Sequence, residues 1–154
     1  MNHNRRTLLK GSIAASAMGI AVGAGLLTPR AVLAAWPKAT FESTDTASAI
    51  TALGGDATES NKIKLKAPDI AENGAVVPVT ITSGIDNTTA ISILVSNNAQ
   101  PLSATFNLGE KTHGYVSTRL KMGKTSDVIA IVKADGKLYS ATKQVKVTIG
   151  GCGG

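Results

Sequence analysis

The sequence predicts an all-β domain: an immunoglobulin-like β-sandwich of about seven strands, with a short N-terminal helix and a flexible C-terminal arm. Three observations predict it. After residue 60 the apolar residues recur with period two, in short runs. Polar turn residues separate the runs, among them Asn73-Gly74, Asn97-Asn98 and Asp135-Gly136. The last run leads directly into Gly150-Gly151-Cys152-Gly153-Gly154. The cysteine and tryptophan signature of antibody domains is absent, so the prediction concerns architecture alone.

The chain opens with Asn4-Arg5-Arg6-Thr7-Leu8-Leu9-Lys10, the pattern of a twin-arginine export signal carried by Arg5 and Arg6. An apolar, small-residue stretch from Ile13 to Leu27 follows, and Val32-Leu33-Ala34 offers a cleavage site after Ala34. The stretch is rich in glycine and alanine and ends at Pro29-Arg30, which makes it weakly apolar for a membrane span. The expected organisation is a signal over 1–34, a carrier-sized β-domain over 35–149 and an arm over 150–154. The expected destination is the periplasm, with folded cargo and no stable membrane anchor after cleavage.

Ala35 to Thr44 reads as an irregular lead-in. A short helix is expected from Thr44 to Leu53, because Ala47, Ile50 and Leu53 share one face. Ser43, Thr44 or Asp45 can cap its start and Gly54-Gly55 its end. So short a helix is marginal alone and must pack on the domain or on a partner. Ile63, Leu65 and Ala67 then alternate with Lys62, Lys64 and Lys66, giving a half-buried strand with a lysine-rich outer face. Pro68 places that strand at an edge or a bulge. Val77-Pro78-Val79 to Ile81, Ile91 to Val95, and Leu102 to Leu108 alternate in the same way. Tyr115 to Met122, Val128 to Ala134 and Leu138 to Ile149 complete the set. Asp135-Gly136 between the last two is a tight-hairpin signal.

The full chain carries 16 basic and 10 acidic residues. Four of the basic ones belong to the expected signal, so the mature chain has 12 against the same 10. The basic balance is therefore largely a property of the leader and does not argue for nucleic acid. The few aromatics, Trp36, Phe41, Phe106, Tyr115 and Tyr139, make no base-stacking cluster.

Few residues are equipped for chemistry. The mature chain has one histidine, His113, in Glu110-Lys111-Thr112-His113-Gly114, and it reads as an exposed loop histidine. A dyad with Cys152 stays open. No metal-ligand set and no phosphate loop are present, and the pairs Asp56/Glu59 and Asp69/Glu72 read as solvated turn residues. The chain is not expected to be an enzyme. No cofactor is expected other than material bound covalently to Cys152.

Cys152 is the only cysteine, so it cannot close an internal disulfide. Gly150, Gly151, Gly153 and Gly154 give it a backbone without side chains. An extended arm would hold the sulfur about 10 Å beyond the last strand. Ordering the arm in another protein costs about 1–2 kcal/mol per residue, which favours brief visits. A free thiol has a pKa of about 8.5, and a carboxylate at Gly154 disfavours the thiolate, so activation is expected to come from a client's active site. Two functions fit such an arm: a covalent carrier, or a structural or adhesive module that dimerises through the terminal cysteine.

The twin-arginine signal, the segment Ile63-Lys64-Leu65-Lys66-Ala67-Pro68-Asp69-Ile70-Ala71-Glu72-Asn73-Gly74, Val77-Pro78-Val79 and above all the glycine-flanked Cys152 resemble the SoxY family. Its members are the sulfur carriers of the periplasmic thiosulfate-oxidation (Sox) system. The similarity spans essentially the whole chain. It implies an immunoglobulin-like fold and a heterodimer with SoxZ, a small β-protein exported together with SoxY. It implies that Cys152 carries the sulfur intermediates. The haem enzyme SoxAX couples thiosulfate to the family cysteine. The manganese hydrolase SoxB releases sulfate. The molybdenum enzyme SoxCD, in organisms that have it, oxidises the remaining sulfane sulfur.

Overall fold

The computed structural model describes residues 38–148. The export signal, its cleavage site and Gly150–Gly154 lie outside the described residues. Two short helices, α1 (Lys38–Phe41) and α2 (Thr46–Leu53), precede nine strands. These are β1 (Ala57–Glu59), β2 (Ile63–Lys66), β3 (Ile70–Ala71), β4 (Val77–Ser83) and β5 (Thr88–Val95), followed by β6 (Leu102–Asn107), β7 (Tyr115–Leu120), β8 (Ser126–Ala134) and β9 (Lys137–Val147). No described helix is long and apolar enough to cross a membrane.

The strands form an immunoglobulin-like sandwich of two sheets. The larger runs in the order β1-β9-β8-β5-β6, with β3 also paired to β9; the smaller is β2-β4-β7. Alternation along the strands fills the space between them. Ile63 from β2, Val77, Val79 and Ile81 from β4, and Val116 and Leu120 from β7 meet Ile91, Ile93 and Val95 from β5, Val128, Ala130 and Val132 from β8, and Val145 from β9. β5 departs from strict alternation, since Ile91 through Val95 are all buried. The reason is a second apolar layer on the outer face of the larger sheet. There Leu94, Leu102, Ile131 and Leu138 pack on Ala49 of α2, with Phe41, Ile50 and Leu53 alongside. The helix thus packs on the domain itself.

Local signals account for most boundaries. Asp45 caps α2, its carboxylate accepting from the Ser48 amide at 2.8 Å and from the Ser48 hydroxyl at 2.5 Å. Gly54, at φ 141°, ends the helix. Asp135 and Gly136 both have positive φ, 50° and 74°, and join β8 to β9 with Ala134 opposite Lys137. That is the type I′ geometry the twist of a two-residue hairpin favours. Pro78 sits in the middle strand of the smaller sheet, yet β2 reaches only from Thr80 to Ser83 of β4. Pro78 therefore faces no strand on the β2 side, and its missing N–H is tolerated. β2 is an edge, as Pro68 implied.

Three expectations need correction. The lead-in holds a helical turn, α1, whose Glu42 amide bonds to the Lys38 carbonyl at 2.9 Å. There are nine strands rather than about seven, because β1 and β3 are too short to show a period. Both exist by virtue of parallel pairing with β9, Ala57–Glu59 against Leu138–Ser140 and Ile70–Ala71 against Lys146–Val147. The last strand ends at Val147 rather than Ile149.

Candidate functional site

β9 is the element from which the Gly150–Gly154 segment departs. Cys152 and its flanking glycines lie outside the described residues, so the describable part of the site is the root. The root is held on both edges. On one side β3 and the residue before it supply carbonyls: the Lys146 amide donates to the Asp69 carbonyl at 2.9 Å and the Thr148 amide to that of Ala71 at 3.0 Å. On the other side β8 begins only at Ser126, opposite Val145, so the regular ladder stops two residues before β9 does. Thr125 extends it with a side chain. Its hydroxyl accepts the Val147 amide at 3.0 Å and lies 3.5 Å from the Val147 carbonyl. A hydroxyl both accepts and donates, so one group stands in for a strand residue.

Two further contacts brace this collar. Lys143 on β9 donates its ammonium to the Ala67 carbonyl at 2.6 Å and meets the Asp69 carboxylate at 2.9 Å. Asp69 is mostly exposed, so the carbonyl contact is the more durable of the two. The pair ties β9 to the segment that crosses from β2 to β3. Gly74 closes the other flank. Its carbonyl accepts the Met122 amide at 2.6 Å, and its Cα side faces the Met122 carbonyl and the Val147 side chain. Asn73 turns the chain there, its side chain accepting the Ala75 amide at 2.9 Å. The Asn73-Gly74 turn and the Ile63–Gly74 segment, noted first as sequence patterns, thus converge on the base of the glycine segment.

The other candidates fall elsewhere. His113 is exposed in the loop between β6 and β7, beside an open cleft with Asp86, Asn87 and Glu110 on its walls. That loop sits where β7 and β9 begin, whereas the arm leaves where β9 ends. Eleven strand residues separate the two poles, about 33 Å. The four backbone steps from Thr148 to Cys152 span at most about 14 Å, too little to bring the thiol to His113 of the same chain. Asp69 is solvated, as expected, and in addition pairs with Lys143. No group of three or more metal-ligating side chains occurs among the described residues.

The sequence reading missed Thr125 and the role of Lys143. No local pattern marks Thr125, which acts on a residue 22 positions away.

A family model described as "Sulfur oxidation protein SoxY" matches residues 49–152, up to and including Cys152. The chain belongs to the SoxY family. Among solved structures it is similar to the sulfur carrier protein SoxY from Chlorobium limicola f thiosulfatophilum, at 46% identity with a TM-score of 0.59. The match covers 66% of this chain and 94% of that SoxY chain. A chain from a structure on T cell specificity and activation by the bacterial superantigen toxic shock syndrome toxin-1 aligns at 10% identity over 56% of this chain and 99% of that chain, with a TM-score of 0.41. No curated protein matches the chain. The SoxY match spans the sandwich and its β9 root, the parts that carry the geometry above.

Proposed function

We propose that this SoxY-family chain is a covalent carrier of sulfur intermediates in periplasmic thiosulfate oxidation, and not an enzyme in its own right. Membership in a family of sulfur oxidation proteins through Cys152 carries the reading. The solved relative named as a sulfur carrier supports it.

In this reading Cys152 is the attachment point. Gly150, Gly151, Gly153 and Gly154 are the arm that lets it enter narrow active sites. The thiol loses its proton, and two electrons pass to an external haem enzyme as its sulfur bonds to the terminal sulfur of thiosulfate. Hydrolysis then releases the sulfonate group as sulfate and leaves a sulfane sulfur on the cysteine. SoxAX, SoxB and, where present, SoxCD are the proposed clients, and SoxZ the proposed heterodimer partner. Arg5 and Arg6 direct the folded protein to the periplasm.

The collar contributes stiffness. With Val147 and Thr148 hydrogen-bonded to the sandwich, β9 is held firmly through its last described residue. Intact-protein mass spectrometry without reductant, on protein from cells oxidising thiosulfate, tests the proposal. Reductant-labile sulfane or thiosulfonate adducts mapped to Cys152, and absent from Cys152→Ser, are expected. Only free thiol or a homodimeric disulfide during active oxidation would overturn it.

A further inference from the structure

The two outer faces of the sandwich are treated differently. The outer face of the larger sheet is covered by α1 and α2. On the smaller sheet the described residues place no helix or loop over the outward side chains, and the register fixes what they display. Lys64 stands beside Thr82 and Tyr115, Lys66 beside Thr80 and Ser117, and Pro78 beside Arg119. Lys62 and Lys121 continue the alternation just beyond the strand ends, and both are exposed.

The charge on this face has one sign. No Asp or Glu occurs anywhere in β2, β4 or β7. Lys62, Lys64, Lys66, Arg119 and Lys121 make no ion pair among the described residues. The chain's 10 acidic residues all lie elsewhere, so the domain is polarised. Protection of sheet edges, for which lysine is the favoured charge, accounts for lysines on β2, but it does not call for the absence of every acidic residue from all three strands. A uniformly cationic sheet retains unneutralised repulsion that only an external anion relieves.

We infer that the outer face of β2-β4-β7 is a docking surface for an acidic protein surface, that of a client into which the arm reaches. This rests on the carrier reading for the identity of the client. Three features favour a protein over a membrane. The centre of the face is a row of hydroxyls, Thr80, Thr82 and Ser117, with Thr80 and Ser117 hydrogen-bonded at 3.1 Å. Its large exposed apolar residues are Tyr115 and, one residue before β4, Val76, at opposite ends of the face, so it has no contiguous apolar patch to insert among acyl chains. The face also runs into the collar. Residue 67, next to Lys66, holds Lys143 of β9 through its carbonyl, and residue 122, next to Lys121, bonds to Gly74. A client seated here would have the arm's base at its rim. Cationic steering of this kind raises association rates about 10- to 1000-fold at low salt.

The test has two parts. In the first, poly-L-glutamate is titrated into the isotope-labelled protein at low ionic strength while amide shifts are followed. Shifts confined to β2, β4 and β7 are expected. Shifts elsewhere only, or binding of phosphatidylglycerol vesicles through this face with poly-L-glutamate inert, would overturn the inference. In the second, Lys64→Gln/Lys66→Gln/Arg119→Gln is loaded with sulfur and offered to the sulfate-releasing hydrolase. A fall in kcat/KM of about tenfold with kcat unchanged, and a flattened salt dependence, are expected. Lys133→Gln/Lys137→Gln on the other sheet is expected to behave as wild type. Equal salt slopes in both variants would overturn the docking surface. An unloaded Cys152 with poly-L-glutamate still mapping to the face would instead sink the carrier reading and leave the surface standing.

Discussion

Gly74→Ala tests whether the root of the arm is as tightly built as described. A Cβ at residue 74 would lie 2.9 Å from Val147 Cγ1 and well inside contact distance of the Met122 carbonyl oxygen. The valine methyl can rotate away; the carbonyl is backbone and cannot. The turn must therefore withdraw from residue 122, and the Met122 amide bond to Gly74, now 2.6 Å, lengthens. Strain of this kind costs about 1–3 kcal/mol, and the weakened hydrogen bond adds about 0.5–1.5 kcal/mol. For a domain of this size, each kcal/mol lowers Tm by about 4 °C. Urea unfolding should show a lowered midpoint with unchanged slope. Amide exchange should rise first at Met122 and Val147. Gly123→Ala is the matched control: no atom lies within 4 Å of its added Cβ, so a change within about 0.5 kcal/mol is expected. Equal stability of the two variants would refute the close-approach argument.

Thr125→Val should speed exchange of the Val147 amide about fivefold, since the lost bond is worth about 1 kcal/mol net; Thr125→Ser, which keeps the hydroxyl, should restore protection. Leu94→Ala, at a fully buried position under α2, should cost about 2–5 kcal/mol. It should also raise exchange across residues 46–53 before it affects the inter-sheet core. Asp45 is held below its ordinary value of 3.8 by the hydroxyl and then the amide of Ser48. Its contribution to stability is thus present above about pH 4 and lost as pH falls through the folded pKa. Asp45→Asn, which keeps a capping acceptor, should remove that acid-side slope in a pH series of unfolding midpoints.

The sequence legibly encoded whatever depends on neighbours. Asp135-Gly136 announced a hairpin because only residues tolerant of positive φ fit a type I′ turn. Asp45 and Gly54 bracketed α2 for the same local reasons. The alternation of Ile63, Leu65 and their lysines identified both the strand and its cationic face. What escaped was made by distant pairing. β3 is two residues long and is a strand only because Lys146 and Val147 lie beside it. The collar was invisible because Thr125 replaces a missing strand residue with a side chain, a substitution that leaves no periodic trace. Arg119 gave no sign that it would stand on the same sheet as Lys64, 55 positions earlier.

The parallel pairing of β1 and β3 with β9 has a consequence for biosynthesis. Residues 57–71 leave the ribosome long before residues 137–147, yet two of their three strands have no partner until β9 exists. β9 also supplies Leu138 and Val145 to the two apolar layers. A nascent chain lacking it therefore holds an open sandwich. Completion of the fold and completion of the arm's base become one event, five residues short of the thiol. Any cellular check that admits only folded chains would then pass only those whose arm is nearly translated.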